Sequence, residues 1–150
     1  MERNNIDQFV ATIAYQALRA IPALRPLVED AVEYDLMVFH HSVDVQLDTF
    51  ILEPLLRLHS TGFDFRDCPF VIIIDGLDEC QGNLVQSALV KSLASTFLCS
   101  PLHIRILVTS RPEIYLQSTF NSSSISSNLP RVALSDECSP DEDIYLFLAF

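Results

Sequence analysis

At 150 residues the chain is one domain's worth or less. Its hydrophobic content of 49% implies a packed core and excludes a disordered chain. The 20 Asp and Glu against 9 Lys and Arg leave a formal charge of −11, which excludes a basic face for nucleic acid and attraction to an anionic membrane surface. No run approaches the roughly 18–20 apolar residues of a membrane span. The first residues, MERNNIDQFVATIAYQ, lack the basic-then-apolar order of a secretory signal. Cys68, Cys80, Cys99 and Cys138 form no C-x-x-C pair and read as reduced thiols of a cytoplasmic protein.

In chain order, residues 7–20 predict an amphipathic helix with Phe9, Ile13, Ala17 and Leu18 on its inner face. Pro22 opens a second helix, whose stripe is Leu24, Leu27, Val28, Ala31 and Val32. A third follows, with Ser42 as N-cap, Asp44 at the positive end of the helix dipole, and Val43, Leu47, Phe50 and Ile51 inward. Pro54 is expected to end or kink it, so the helical region covers 7–53. STGFDFRDC reads as a loop. The unbroken apolar run 70–74 predicts a strand buried on both faces, hence a parallel sheet, and the strand 70–75 closes on Asp75. Residues 83–98 return to helical period through Leu84, Val85, Ala88, Leu89, Ser92, Leu93 and Phe97. A second buried strand covers 104–109. Pro112 starts a short helix to Phe120. NSSSISSNLP is a polar loop. A third short strand is expected at 131–134, and the capping box of Ser139 and Glu142 opens a helix over 140–150 that the last residue interrupts. Strands alternating with helices define an α/β fold.

Ligands of open α/β sheets bind outside the carboxyl ends of the strands. Two polar clusters fall there: Asp75, Gly76, Asp78 and Glu79 after the first strand, and Thr109, Ser110 and Arg111 after the second. An apolar strand ending in Asp is the Walker B pattern, whose carboxylate holds hydrated magnesium against nucleotide phosphates. Asp75 is the candidate metal residue. Gly76 removes a side chain where a ligand comes close. Asp78 or Glu79 would orient the attacking water or take its proton. A cation would also relieve the repulsion among these acids. Arg111 can reach a terminal phosphate with its guanidinium fork, and Thr109 and Ser110 add hydroxyls nearby. Taken singly, each feature is also an ordinary strand end, turn or helix start; their order along the chain is what carries the reading.

VIIIDGLDEC followed by ILVTSRPE resembles the NACHT class of signal-transduction NTPases, and more narrowly the nephrocystin-type NACHT-like domains abundant in fungi. The resemblance extends to FVATIAYQALRAIPALRPLVEDAV before the acids and DEDIYLFL near the end. It implies a partial P-loop NTPase core, a parallel sheet flanked by helices with the P-loop strand missing. It makes Asp75 the Walker B magnesium residue, Asp78 and Glu79 the extended acidic part, and Arg111 the arginine that senses the terminal phosphate. It implies a magnesium cofactor with ATP or GTP in the complete domain, and nucleotide, self-association or other protein domains as partners. One part of the pattern has no counterpart: no G-x-x-x-x-G-K-[ST] segment can be assembled from Gly62, Gly76, Gly82 and the single lysine, Lys91. In the family that segment precedes the region that corresponds to this chain. The P-loop strand lies there between the sensor strand and the last core strand. Strands 70–74 and 104–109 are therefore expected to pair in parallel, leaving an exposed apolar edge.

The expectation is a fragment carrying the magnesium and sensor half of a nucleotide site, with weak or no nucleotide affinity and no turnover alone. The alternative is a non-enzymatic interaction module that keeps the fold. A metal-dependent phosphohydrolase using Asp75 and Asp78 is disfavoured, because the D-x-x-D spacing offers no nucleophile motif and leaves Arg111 without a role.

Overall fold

The computed structural model describes residues 8–65, 69–80 and 82–133. The expected helix at 140–150 and its capping box lie outside them. Helix α1 (Phe9–Ala20) and α2 (Arg25–Tyr34) are joined by a 3-10 turn at Pro22–Leu24, where the fixed φ of Pro22 suits the first position. The most buried α1 side chains are Val10, Ala14 and Ala17, while Phe9, Ile13 and Leu18 pack at the margin of the core.

The third helix differs from its sequence reading in three ways. It begins as α3 (Val43–Leu47), widens into a π-helical turn at Asp48–Leu52, and continues as α4 (Glu53–Ser60). Pro54 therefore neither ends it nor stops it short. A proline has no N–H to offer the carbonyl four residues back, and the preceding turn is already wound wide, with the Glu53 N–H bonded to the Asp48 carbonyl. Ser42 holds the N-cap position with extended backbone, but its hydroxyl makes no capping bond. Buried Gln46 serves different groups, the carbonyls that precede the helix: its Nε2 donates to His41 at 2.8 Å and to Phe39 at 3.3 Å. Leu47, Phe50, Ile51, Leu55 and Leu58 carry the stripe into the core.

The π turn also sets up a charge conflict. Asp44 precedes Asp48 by an α-helical turn and Glu53 follows it by a π turn. Burial, then Asp44, then Glu53 push the Asp48 carboxyl above its ordinary range, against a hydrogen bond from Thr96 that pulls it down. A raised folded-state value means that ionisation costs stability as pH rises from the unfolded aspartate value, about 3.9, through the higher folded one. Asp48→Asn keeps an acceptor for Thr96 and removes the charge. Asp48 is exposed, so solvent screens the conflict: at pH 7 the variant is expected to be at least as stable as the parent, and any gain should fade below about pH 4. A scanning calorimetry series across pH checks it; a variant less stable at neutral pH contradicts the assigned conflict.

Strands β1 (Val71–Ile74) and β2 (Arg105–Val108) pair in parallel, Val71 with Arg105 and Ile74 with Val108 at the two ends of the register. Between them α5 (Asn83–Phe97) forms the crossover. Its inner face is Gln86, Leu89, Val90, Leu93 and Phe97; Leu84, expected inside, is 87% exposed. Among the described residues the sheet is covered on one face only, which differs from the expectation of burial on both. Ile72 and Ile74 join the core, whereas Val71, Ile73 and Leu107 are 49%, 67% and 54% exposed. An all-apolar run fits either case, because the number of covering layers is a tertiary property.

Helix α6 (Ile114–Phe120) starts two residues after Pro112, with Glu113 extended at the N-cap position. The serine-rich tract is not all loop: it forms the short helix α7 (Ser123–Ser126), which puts Ile125 into the core. Residues 131–133 form no strand, and the rest of the expected strand lies outside the described residues. Arg131 instead lies over the Phe120 ring, 5.6 Å from its centroid. The two-stranded parallel sheet with its helices is an α/β arrangement. Among the described residues, no helix is long and apolar enough to cross a membrane.

Candidate functional site

The carboxyl ends of β1 and β2 are adjacent because the strands are parallel neighbours. The ladder continues beyond them: the Thr109 N–H donates to the Ile74 carbonyl at 2.9 Å, and the Leu77 N–H donates to the Thr109 carbonyl at 3.0 Å. Between these bonds the chain turns sharply. Gly76 takes φ 66° and ψ 47°, the left-handed region that favours glycine. A Cβ at that position would also meet Glu79 Cδ at 3.3 Å. A 3-10 turn, Leu77–Glu79, follows, and Leu77 anchors it in the core at 1% exposure.

Thr109 is the link between the two segments. Its hydroxyl donates to Asp75 Oδ1 at 2.5 Å and accepts the Gly76 N–H at 3.0 Å. This bond orients the Asp75 carboxylate, which is exposed to solvent. Asp78 faces the other way along the turn. Its Oδ1 accepts the Arg111 backbone N–H at 3.0 Å and its Oδ2 lies 3.5 Å from Arg111 Nε. The Asp78 side chain is 12% exposed and that of Arg111 80%, so the carboxylate is held while the guanidinium reaches into solvent. Ion pairing at so open a group is worth at most about 1 kcal/mol; the backbone bond does more to fix the geometry. Glu79 is exposed, with its stem over Gly76.

Thus Asp75, Asp78 and Arg111 come together at one sheet end. Asp78 is engaged by Arg111, which distinguishes it from Asp75 and Glu79. The acids do not close into a cage: among the described residues, no three His, Cys, Asp or Glu side chains are grouped to hold a metal ion. Of the residues brought together here, Asp75, oriented by Thr109 and open to solvent, is the one placed to offer a carboxylate oxygen to a hydrated cation.

Two neighbours that brace the turn were not singled out in the sequence, Gln86 and Tyr115. Gln86, 2% exposed, donates through Nε2 to the Asp78 carbonyl at 3.1 Å and to the Cys80 carbonyl. Its Oε1 accepts the Tyr115 hydroxyl at 2.6 Å. The signal that could have found Gln86 is its place in the α5 stripe with Leu89, Val90 and Leu93, where a polar side chain must be bonded. Cys80 closes the turn as a free thiol; burial, then Glu79 and Asp78, push its pKa up and keep it protonated. Tyr115 is likewise pushed up, by desolvation first and then Glu113, partly offset by its bond to Gln86.

An α/β domain with oriented carboxylates and an arginine at adjacent parallel strand ends has the form of a ligand site at a sheet's carboxyl edge. The chain belongs to the nephrocystin 3 N-terminal family, whose model matches residues 1–111. The match takes in β1, the acidic turn and β2, and it ends at Arg111. No curated protein and no solved structure matches the chain.

Proposed function

We propose that this corner is the magnesium-binding and phosphate-sensing half of the nucleotide site of a NACHT-type signalling NTPase domain. The observation that carries it is the joining of Asp75 to Arg111 across two parallel strand ends, through Thr109 on one side and Asp78 on the other. Asp75 would hold the ion together with water and phosphate oxygens. Bound there, magnesium supplies charge neutralisation on ATP or GTP phosphates. Thr109 keeps the carboxylate aimed. Arg111, held at its backbone N–H and at Nε by Asp78 but 80% exposed, would reach the terminal phosphate with the outer end of its guanidinium. Glu79, exposed at the rim, remains the candidate for positioning water, since Asp78 is occupied by Arg111.

The phosphate-cradling half has no counterpart in this sequence, so the chain alone is expected to bind nucleotide weakly and not to turn it over. Hydrolysis by the complete domain would serve a conformational switch. The direct test is magnesium-dependent binding of a fluorescent ATP or GTP analogue by titration. Asp75→Ala is expected to remove the magnesium-dependent component, a loss of about tenfold or more. Binding that is unchanged in this variant sinks the assignment. A second reading, a non-enzymatic interaction module, is favoured by the uncovered apolar sheet face of Val71, Ile73 and Leu107. An in-frame G-x-x-x-x-G-K-[ST] segment upstream of Met1 in the genome would decide for the NTPase reading, and its absence for the module.

A further inference from the structure

The acidic turn is held from two sides by one segment of chain. At the front, Arg111 grips the Asp78 carboxylate through its backbone N–H. From below, Tyr115, four residues further along, reaches the Asp78 carbonyl through Gln86. Asp78, Arg111, Tyr115 and Gln86 thus close a ring in which the chain itself supplies one side. Gln86 uses both amide hydrogens on the turn, at Asp78 and Cys80, and its oxygen on Tyr115. At 2% exposure it has no water to exchange for these partners. The α5–α6 contact beneath is reinforced by the 3.0 Å bond between Thr119 and Ser87.

We propose that Gln86 and Tyr115 are positioning residues that lock the acidic turn to the Arg111 segment, so that an oxyanion drawing Arg111 away from Asp78 is felt at the turn that carries Asp75 and Asp78. This regulation rests on the nucleotide-site reading for its ligand, but the lock is a property of the free protein and is tested without one. Tyr115→Phe removes a single hydroxyl and leaves the ring packing in place, which makes it a milder probe than any change at buried Gln86.

The experiment is native-state amide hydrogen exchange on the full chain, wild type against Tyr115→Phe. Loss of one hydrogen bond predicts about 3- to 10-fold faster exchange at the Arg111, Glu79 and Cys80 amides, with α1 and α4 unchanged. A purely structural tyrosine would instead raise exchange in every element together. Unchanged exchange at Arg111 and the turn, or a uniform rise throughout, overturns the proposal. Neither result touches the nucleotide reading, which stands or falls on the Asp75→Ala titration.

Discussion

Leu77→Ala is expected to lower the unfolding free energy by about 2–5 kcal/mol, the range for emptying a buried leucine site. Leu77 is 1% exposed and lies between Gly76 and Asp78, so it is the apolar anchor of a turn whose other side chains are acids. For a domain of this size that loss lowers the melting temperature by about 4–20 °C. The variant tests more than packing. The turn contributes hydrogen bonds on both sides of Leu77, from the Gly76 N–H to Thr109 and from Gln86 to the Asp78 carbonyl, and a cavity beneath it frees both. Leu84→Ala is the control. That leucine is 87% exposed on α5 and should shift stability by no more than about 0.5 kcal/mol. Denaturant titration of the two variants decides it. If they cost the same, Leu77 does not anchor the turn.

What could be read in advance follows from which forces are local. The apolar run before Asp75 and the one before Thr109 announced strands, and the crossover helix between them made a parallel pair, because antiparallel strands need no such connection. The acidic corner was legible for the same reason: Asp75 and Arg111 sit at strand ends, so pairing alone makes them neighbours. What could not be read lies one level up. Ile73 and Ile72 are indistinguishable by composition, yet one is exposed and the other buried, since that depends on whether a second layer covers the sheet. Pro54 broke no helix because a wide turn before it absorbed the missing bond, a cooperative adjustment that no single residue encodes. Gln86 is a polar residue in an otherwise apolar helical face. Its burial is rational only once the carbonyls of Asp78 and Cys80 and the hydroxyl of Tyr115 are in place around it. Ser42 shows the converse: the residue type and its extended backbone suit a cap, but its hydroxyl makes no capping bond.

The sheet face that the described residues leave open should dominate how the isolated chain behaves in solution. Ile73 and Leu107 are partners in the parallel register, and both point away from the core, with Val71 beside them. Parallel sheets are ordinarily covered on both faces. The two strands also have outer edges with no pairing partner among the described residues, and open edges beside an apolar face promote association. The chain at micromolar concentration is therefore expected to bind a hydrophobic dye and to sediment as more than a monomer. The formal charge of −11 opposes this by mutual repulsion, so association should grow with salt as the charges are screened. The double variant Ile73→Thr with Leu107→Thr keeps residues that tolerate a strand while removing apolar area. It should cut dye fluorescence by roughly half or more and move the sedimentation boundary toward the monomer, with little change in melting temperature, because neither side chain contributes to the core. A parent chain that is monomeric at all salt concentrations and dark to the dye would show that the face is covered in solution, and the variant would then lose stability instead of gaining solubility.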